Sequence, residues 1–400
     1  MEYHFLQGKN NLLSNEEDLK ASLDTIKSKI ESFFEMKNLC FLFGSGTSAG
    51  AIPLMKGLYE KLQEEIRGYT EEEKNFLQNI NDDKNIEKVL GTLYSGRGYL
   101  EQRKTEGEEL ERFNMINGLI NKIEKFIKQQ IDVLNKDEWS DELKKTLEFY
   151  RIFYSKVALR NKELSRINIF TTNNDMFNEV ALDSLDIHFF NGFSGGVIRS
   201  FNPASFNYTL SKRMDTAIDK YEPVENFVYL YKIHGSVNWI EDENANEKSF
   251  FRIKELPLRN SQEANVLIYP TPLKQNKSLG APYVDLFREF QHKLLETNTV
   301  LIVIGYSFGD EHVNDIIYRA LATNSSMNLV IINNLSDDKT ITQIDDPRIY
   351  RIWSTAEEAD GAVNHIHFFS EIVDKLIPTK NTFDAEPILK KFIKELHESR

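Results

Sequence analysis

Apolar residues along the chain keep two different rhythms. Residues 16–37 predict a helix, and Leu39–Phe43 follows as Leu-Cys-Phe-Leu-Phe, a run without polar alternation that predicts a short strand buried on both faces. A glycine-rich turn comes next, then a helix through Gly57 to Ile66. From there to about residue 165 charge density rises and β-branched runs vanish. Apolar residues now fall at helical spacing: Phe113, Ile116, Ile120, Ile123, Ile127 and Leu134 make one stripe, and Ile86, Val89, Leu90 and Leu93 another. Strand-like runs then return at Ile167–Thr171, Ile187–Phe190, Phe227–Ile233, Val266–Tyr269, Val300–Ile304, Leu329–Ile332 and Ile349–Trp353. Helical segments such as Tyr283–Leu295 and Val313–Ala322 separate several of them, and a charged helix, Glu386–Glu398, closes the chain.

Buried strands alternating with helices predict an α/β fold: a doubly wound, mostly parallel, Rossmann-like sheet with a large helical insertion and a C-terminal helix. The expected division is a discontinuous domain, residues 1–58 and 166–400, interrupted by a helical insertion at residues 59–165. The stripes of the insertion have two places to be buried, the sheet domain or another subunit, and the second implies a role in assembly.

Composition narrows the function classes. Hydrophobic residues make up 40% of the chain, with 27 Phe and 16 Tyr, which supplies a packed interior and excludes global disorder. Sixty-two acidic residues against 49 basic give a formal charge of −13, the wrong sign for a protein that grips a nucleic-acid backbone. The cluster Lys122, Lys125 and Lys128 is interleaved with acidic residues and reads as a solvated helix face. Apolar runs such as Thr299–Ile304 are far shorter than the ~20 residues that span a bilayer. Met1–Leu13 carries no signal-peptide pattern, so a cytoplasmic location is expected. Cys40 is the only cysteine, which rules out an intrachain disulfide and a cysteine zinc site. His365 and His367, the only close histidine pair, alternate along a possible strand but lack further ligands, so no metal is expected.

In a doubly wound sheet, ligands bind beyond the carboxyl ends of the strands, so the turns that follow strands carry the chemistry. The first is Gly44-Ser45-Gly46-Thr47-Ser48-Ala49-Gly50, whose glycines suit a tight turn and close approach of backbone N–H groups to a pyrophosphate. It lacks the acidic ribose ligand that a dehydrogenase places about 20 residues later. The second, Thr171-Thr172-Asn173-Asn174-Asp175, reads as ribose and water ligands with a nearby carboxylate, or as a helix cap. The third, Lys232-Ile233-His234-Gly235-Ser236, places a histidine at a strand end, as a general base or as a structural residue. The fourth, Gly305 to His312, offers Gly305 and Ser307 to a second part of a nucleotide. Asp310 and His312 there are pocket residues or a helix start.

Together and in this order, these turns resemble the sirtuin family. Sirtuins carry a G-A-G-x-S loop followed by A-G-I-P, then T-Q-N-x-D, an H-G histidine, G-T-S and an I-N pair. Here stand Gly44 to Ser48 with Ala51-Ile52-Pro53, Thr171 to Asp175, His234-Gly235, Gly305-Tyr306-Ser307 and Ile332-Asn333. The resemblance spans residues 40–55 and 165–355. It implies NAD as substrate: Gly44, Ser45, Gly46, Thr47 and Ser48 would cradle the pyrophosphate, with Thr171 in the same pocket. Asn173 and Asp175 would face the nicotinamide ribose, His234 would be the base, and Gly305, Ser307 and Asn333 would lie along the adenosine half.

Protein-deacylating sirtuins usually have a four-cysteine zinc ribbon and follow I-P with Asp-Phe-Arg, whereas this chain has one cysteine and Leu54-Met55-Lys56. The helical insertion and the Gly305–Asp310 wording are similar to the sirtuin-like effectors of prokaryotic antiphage defence. That similarity implies an NAD glycohydrolase that depletes NAD, a homo-oligomer, and a possible partner ATPase of the HerA type, with no membrane and no direct nucleic-acid partner. A zinc-free NAD-dependent protein deacylase and a non-catalytic nucleotide sensor or scaffold are the alternatives.

Overall fold

The computed structural model describes residues 1–14, 18–80, 84–103, 106–161, 163–214, 220–224, 226–242, 252–258, 282–355 and 364–379. The predicted strand at Val266–Tyr269 and the predicted helix at Glu386–Glu398 lie outside these residues.

The apolar runs become the centre of a nine-stranded sheet. Its strands are β1 (Glu2–Gln7), β2 (Asn10–Asn11), β3 (Asn38–Phe43), β4 (Asn168–Thr171) and β5 (His188–Phe190), then β10 (Phe227–Lys232), β13 (Thr299–Ile304), β14 (Asn328–Ile332) and β15 (Ile349–Thr355). Shorter strands make two side sheets. One is formed by β6 (Phe193–Ser194), β7 (Arg199–Phe201), β11 (Trp239–Glu241) and β12 (Ile253–Glu255), the other by β8 (Ser211–Arg213) and β9 (Tyr221–Pro223).

Spatial order in the large sheet is β2-β1-β15-β14-β13-β3-β4-β10-β5. From β15 to β5 every pairing is parallel; only β1 and β2, at the edge, run antiparallel. Strand β3 is central, with β4 on one side and β13 on the other; β14 and β15 follow β13 outward in succession, whereas on the other side β10 inserts between β4 and β5. The reversal between β3 and β13 is the topological switch point, the place where doubly wound sheets hold ligands.

Helices cover both faces, which is why β3 and β13 are buried at every residue. Alternation sorts their side chains. Phe41 and Phe43 pack with α1 (Leu19–Phe34), α6 (Asp141–Val157) and α7 (Phe177–Ser184) on one face. Cys40 and Leu42 pack with α8 (Tyr283–Leu295) and α9 (Glu311–Thr323) on the other. Burial pushes the Cys40 thiol up to about 12, so the lone cysteine is a core residue without nucleophilic character near neutral pH.

Within residues 59–165 the two predicted stripes bury against one another. Ile86, Val89, Leu90 and Leu93 of α4 (Ile86–Glu101) meet Ile116, Ile120, Ile123 and Ile127 of α5 (Glu108–Ile131), joined by Leu58 and Leu62 of α2 (Met55–Ile66) and Leu77 of α3 (Glu71–Gln78). Leu134 leaves the stripe: α5 ends at Ile131 with Asp132 as its C-cap, and the turn after it carries Leu134 into the sheet-side core beside α6. Helix α6 itself packs on the sheet through Leu147, Tyr150, Phe153 and Tyr154. His365 and His367 sit in a turn, not on a strand. Their rings stack at 5.1 Å, and both bond to Ser354 of β15.

The four-helix layer has its own core, so it should behave as a separable unit of stability. Leu90 is fully buried there. Leu90→Ala is expected to cost on the order of 3 kcal/mol. Native-state hydrogen exchange should then accelerate in α4 and α5 well before it does in β3 and β13.

Candidate functional site

Two glycine turns leave neighbouring strands at the switch point and pack backbone on backbone. The Gly44 N–H donates to Ile304 O at 3.0 Å, and the Gly46 N–H donates to Gly305 O at 2.9 Å. A Cβ on Gly44 would stand 2.5 Å from Gly305 O, and one on Gly46 2.7 Å from Gly305 Cα. Gly305, at φ +66°, would place a Cβ 2.7 Å from the Thr47 backbone nitrogen. The glycines are therefore required by the approach of the two turns to each other. Of the N–H groups expected to face a pyrophosphate, those of Gly44, Gly46 and Thr47 are all bonded within the protein, the last to Gly44 O at 3.0 Å.

The turn after β4 docks on the first glycine turn through Asn173. Its Nδ2 lies 3.1 Å from Gly44 O, 3.0 Å from Thr47 Oγ1 and 3.3 Å from Ser48 Oγ, while no described residue donates to its Oδ1. The Thr171 hydroxyl accepts the Asn173 N–H behind it. Thr47 and Ser48 are buried, and both hydroxyls meet the Tyr150 hydroxyl, at 2.7 and 3.0 Å. Burial and the nearby Asp175 carboxylate hold that phenol far above its usual range, so it stays protonated and donates.

Asp175 holds the first N–H of α7 from one residue before the cap position, which Met176 occupies, and also lines the cleft. Its Oδ1 accepts the Phe177 N–H at 3.1 Å, and its Oδ2 accepts the Ser48 hydroxyl at 2.9 Å. Burial pushes its carboxyl upward, opposed mainly by Lys232. Lys232, fully buried, lies 2.9 Å from Glu179 Oε1 and donates to the backbone oxygen of Asp175. Asn174 binds the next turn, its Nδ2 donating to His234 O at 2.7 Å.

His234 follows β10, and its Nε2 lies 3.1 Å from Asp310 Oδ2. The other Asp310 oxygen accepts the N–H groups of His312 and Val313 and caps α9. One carboxylate thus fixes a helix start and faces the histidine. The turn between β13 and α9 holds Phe308 at φ +54°, a costly conformation for a bulky residue, with Asn314 Nδ2 bonded to its carbonyl at 3.1 Å.

These turns enclose one cleft of about 380 Å³. Ser45, Ser48, Asn173, Asp175, His234, Gly305, Ser307 and Asp310 all line it. Gly44, Gly46, Thr47 and Thr171 stand behind as support. Asn333 lines a separate hollow of about 210 Å³ with Arg351 and Trp353, tied to the cleft wall by its Nδ2 bond to Tyr306 O at 3.0 Å. The opposite wall comes from the helical layer and the segment leading into it, through residues such as Met55, Asn85, Glu87 and Ile127. The pairing of Asp310 with His234, the Tyr150 hydroxyl and the Asn85–Glu87 wall are absent from the sequence reading. Of these only Asp310 carried a signal, as a cap residue directly after a strand turn.

Residues 167–355, just under half of the chain, match the SIR2-like domain family. No curated protein matches the chain. Among solved structures, one titled as a crystal structure of a Sir2 homolog–NAD complex is 11% identical, with 88% of this chain and 91% of that chain covered and a TM-score of 0.39. Another, titled as the structural basis for the mechanism and regulation of Sir2 enzymes, is 13% identical over 88% of this chain and 96% of that one, with a TM-score of 0.36.

Two variants probe the geometry. Gly305→Ala should lose at least about 2 kcal/mol in denaturant unfolding, since it meets both the left-handed φ and the facing turn. Asp310→Asn should keep the melting behaviour of the parent because Asn caps as well as Asp, whereas Asp310→Ala should lose about 1 kcal/mol. The Asn variant therefore removes the charge facing His234 without disturbing the helix.

Proposed function

We propose that this chain is an NAD glycohydrolase that cleaves the nicotinamide–ribose bond. The observation that carries the reading is the His234–Asp310 pair at 3.1 Å in the same cleft as Asn173, at the switch point of the sheet. The SIR2-like match at residues 167–355 supports NAD as the dinucleotide.

The reaction is NAD plus water giving ADP-ribose, nicotinamide and a proton. The carbon–nitrogen bond breaks with its electron pair going to the ring nitrogen, leaving an oxocarbenium-like ribose. Asn173, with Nδ2 held by three acceptors, presents Oδ1 to a ribose hydroxyl or to the attacking water. The water oxygen bonds to the ribose carbon and its proton passes to His234, whose imidazolium is stabilised by Asp310. Asp175 adds negative charge beneath the developing cation when ionised.

The finer reading is an antiphage effector that depletes NAD, assembles as a homo-oligomer and works beside a HerA-type ATPase. It follows from the resemblance of the Gly305–Asp310 turn and the insertion to such effectors. NAD consumption by the purified chain, alone and with the product of its genomic neighbour, tests that layer.

Asn173→Ala and His234→Ala should each lower NAD cleavage by about 10²–10⁴ while the fold persists. Acting on one ribose, they should not be additive: the double variant should be little slower than either single one. His312→Ala, which contributes only a backbone N–H to the cap, should be milder. Nicotinamide release is the measurement, with and without an acetylated peptide. A His234→Ala effect below about tenfold would sink the mechanism, and release that requires the peptide would identify a deacylase.

A further inference from the structure

The helical layer brings two polar side chains to the cleft, and one of them has no partner among the described residues. Asn85 caps α4, its Oδ1 accepting the Glu87 N–H at 2.7 Å. The Glu87 carboxylate is half-buried and makes neither a hydrogen bond nor an ion pair with any described residue. The same cleft lining holds an apolar set, Ile52, Pro53, Met55, Leu58, Ile127 and Ile131.

The charges of the cleft single Glu87 out. Asp310 is occupied by His234 and by the cap of α9, and Asp175 by Ser48 and the Phe177 N–H. No lysine or arginine is among the described residues that line the cleft. Among the described residues, Glu87 is therefore the one carboxylate of the lining that meets no donor or countercharge. Its place in the first turn of a helix explains why a carboxylate is tolerated there, but not why it lines a cleft in which no described lysine or arginine meets it. A half-desolvated anion attracts a cation, and an apolar wall accepts a flat apolar body.

We infer that Glu87 and the apolar set of the same lining form a binding subsite for a planar aromatic cation. On the reaction proposed above, the occupant is the pyridinium ring of NAD, so the natural ligand rests on that reading, whereas the subsite rests on charge and shape. The sign of its effect follows from the chemistry. Bond cleavage moves positive charge from the ring to the ribose and the ring leaves neutral, so Glu87 holds the substrate ring more strongly than the departing one. Such a contact lowers KM without raising kcat. It also leaves NADH, whose ring carries no charge, without the attraction.

The test is Glu87→Gln, nearly the same shape without the charge, in the full chain. Binding of 1-methylnicotinamide, a cation, and of neutral nicotinamide is measured by calorimetry or NMR titration. The parent should favour the cation, and Glu87→Gln should weaken it about tenfold while leaving neutral nicotinamide unchanged. KM for NAD should rise with kcat equal to or above that of the parent. Unchanged cation binding, equal weakening of both probes, or failure of the parent to bind the cation would each overturn the subsite. Glu87-dependent cation binding by a chain that does not cleave NAD would keep the subsite and remove the glycohydrolase. Cleavage of NAD with Glu87-independent cation binding would do the reverse.

Discussion

The contact between the turn at Gly44–Gly46 and the turn at Gly305 is the constraint on which the site depends. Two parallel strands lie a fixed distance apart, and the turns leaving them here press together with no side chain between them. That contact uses backbone hydrogen bonds in place of side-chain packing, so it tolerates only glycine at three positions. Everything chemical is referred to it. Asn173 is anchored to the first turn, Asn333 is bonded to the second, and Ser45 and Ser307 are carried by one turn each.

Behind this frame the hydrogen bonds have a direction. The Ser48 hydroxyl donates to Asp175, and the Thr47 hydroxyl donates to Gly44 O, so the single Tyr150 hydroxyl proton is left to point between their oxygens, 2.7 Å from Thr47 Oγ1 and 3.0 Å from Ser48 Oγ. Asn173 Nδ2 completes the set, which leaves only its oxygen for the cleft. An ionised Asp175 thus orients an amide that it does not touch. A protein that carried the same residues with the turn displaced would present the wrong end of that amide.

The fold was legible where burial on both faces erases alternation. Leu39–Phe43 and Val300–Ile304 announce central strands because helices cover them on both sides. Edge and side strands were not: β1 mixes Glu, Tyr, His and Gln with its apolar residues, and β6, β7, β11 and β12 are two or three residues long, too short for a period to register. The stripe reaching Leu134 was misread because spacing alone does not register the turn at Asp132. In the site, the four turns were legible from their place after strands. The pairing of His234 with Asp310 was not, since strand order alone brings them together. Tyr150 lies in a stretch whose texture suggested only helix, and nothing local marks its hydroxyl as part of the pocket wall's support. Asp175 illustrates a further limit: it is not the cap residue, a place Met176 takes, yet its bond to the Phe177 N–H and its place in the cleft lining coexist.

The placement of β3 has a consequence for how the chain comes into being. It is the first of the sheet's parallel strands to leave the ribosome, yet both of its neighbours come later: β4 after more than a hundred residues, and β13 at Thr299–Ile304. Until then its backbone groups and its apolar side chains have no permanent partner. Pairings of such sequence separation form slowly and leave aggregation-prone surface open in the interval. The four-helix layer, made entirely of nearer neighbours, is complete first and sits directly after β3 in the chain. The site, requiring residues as far apart as Gly44 and Asp310, cannot exist until the chain has passed Asp310. A chain that stops before Asp310 therefore lacks the complete cleft, a dependence written into strand order.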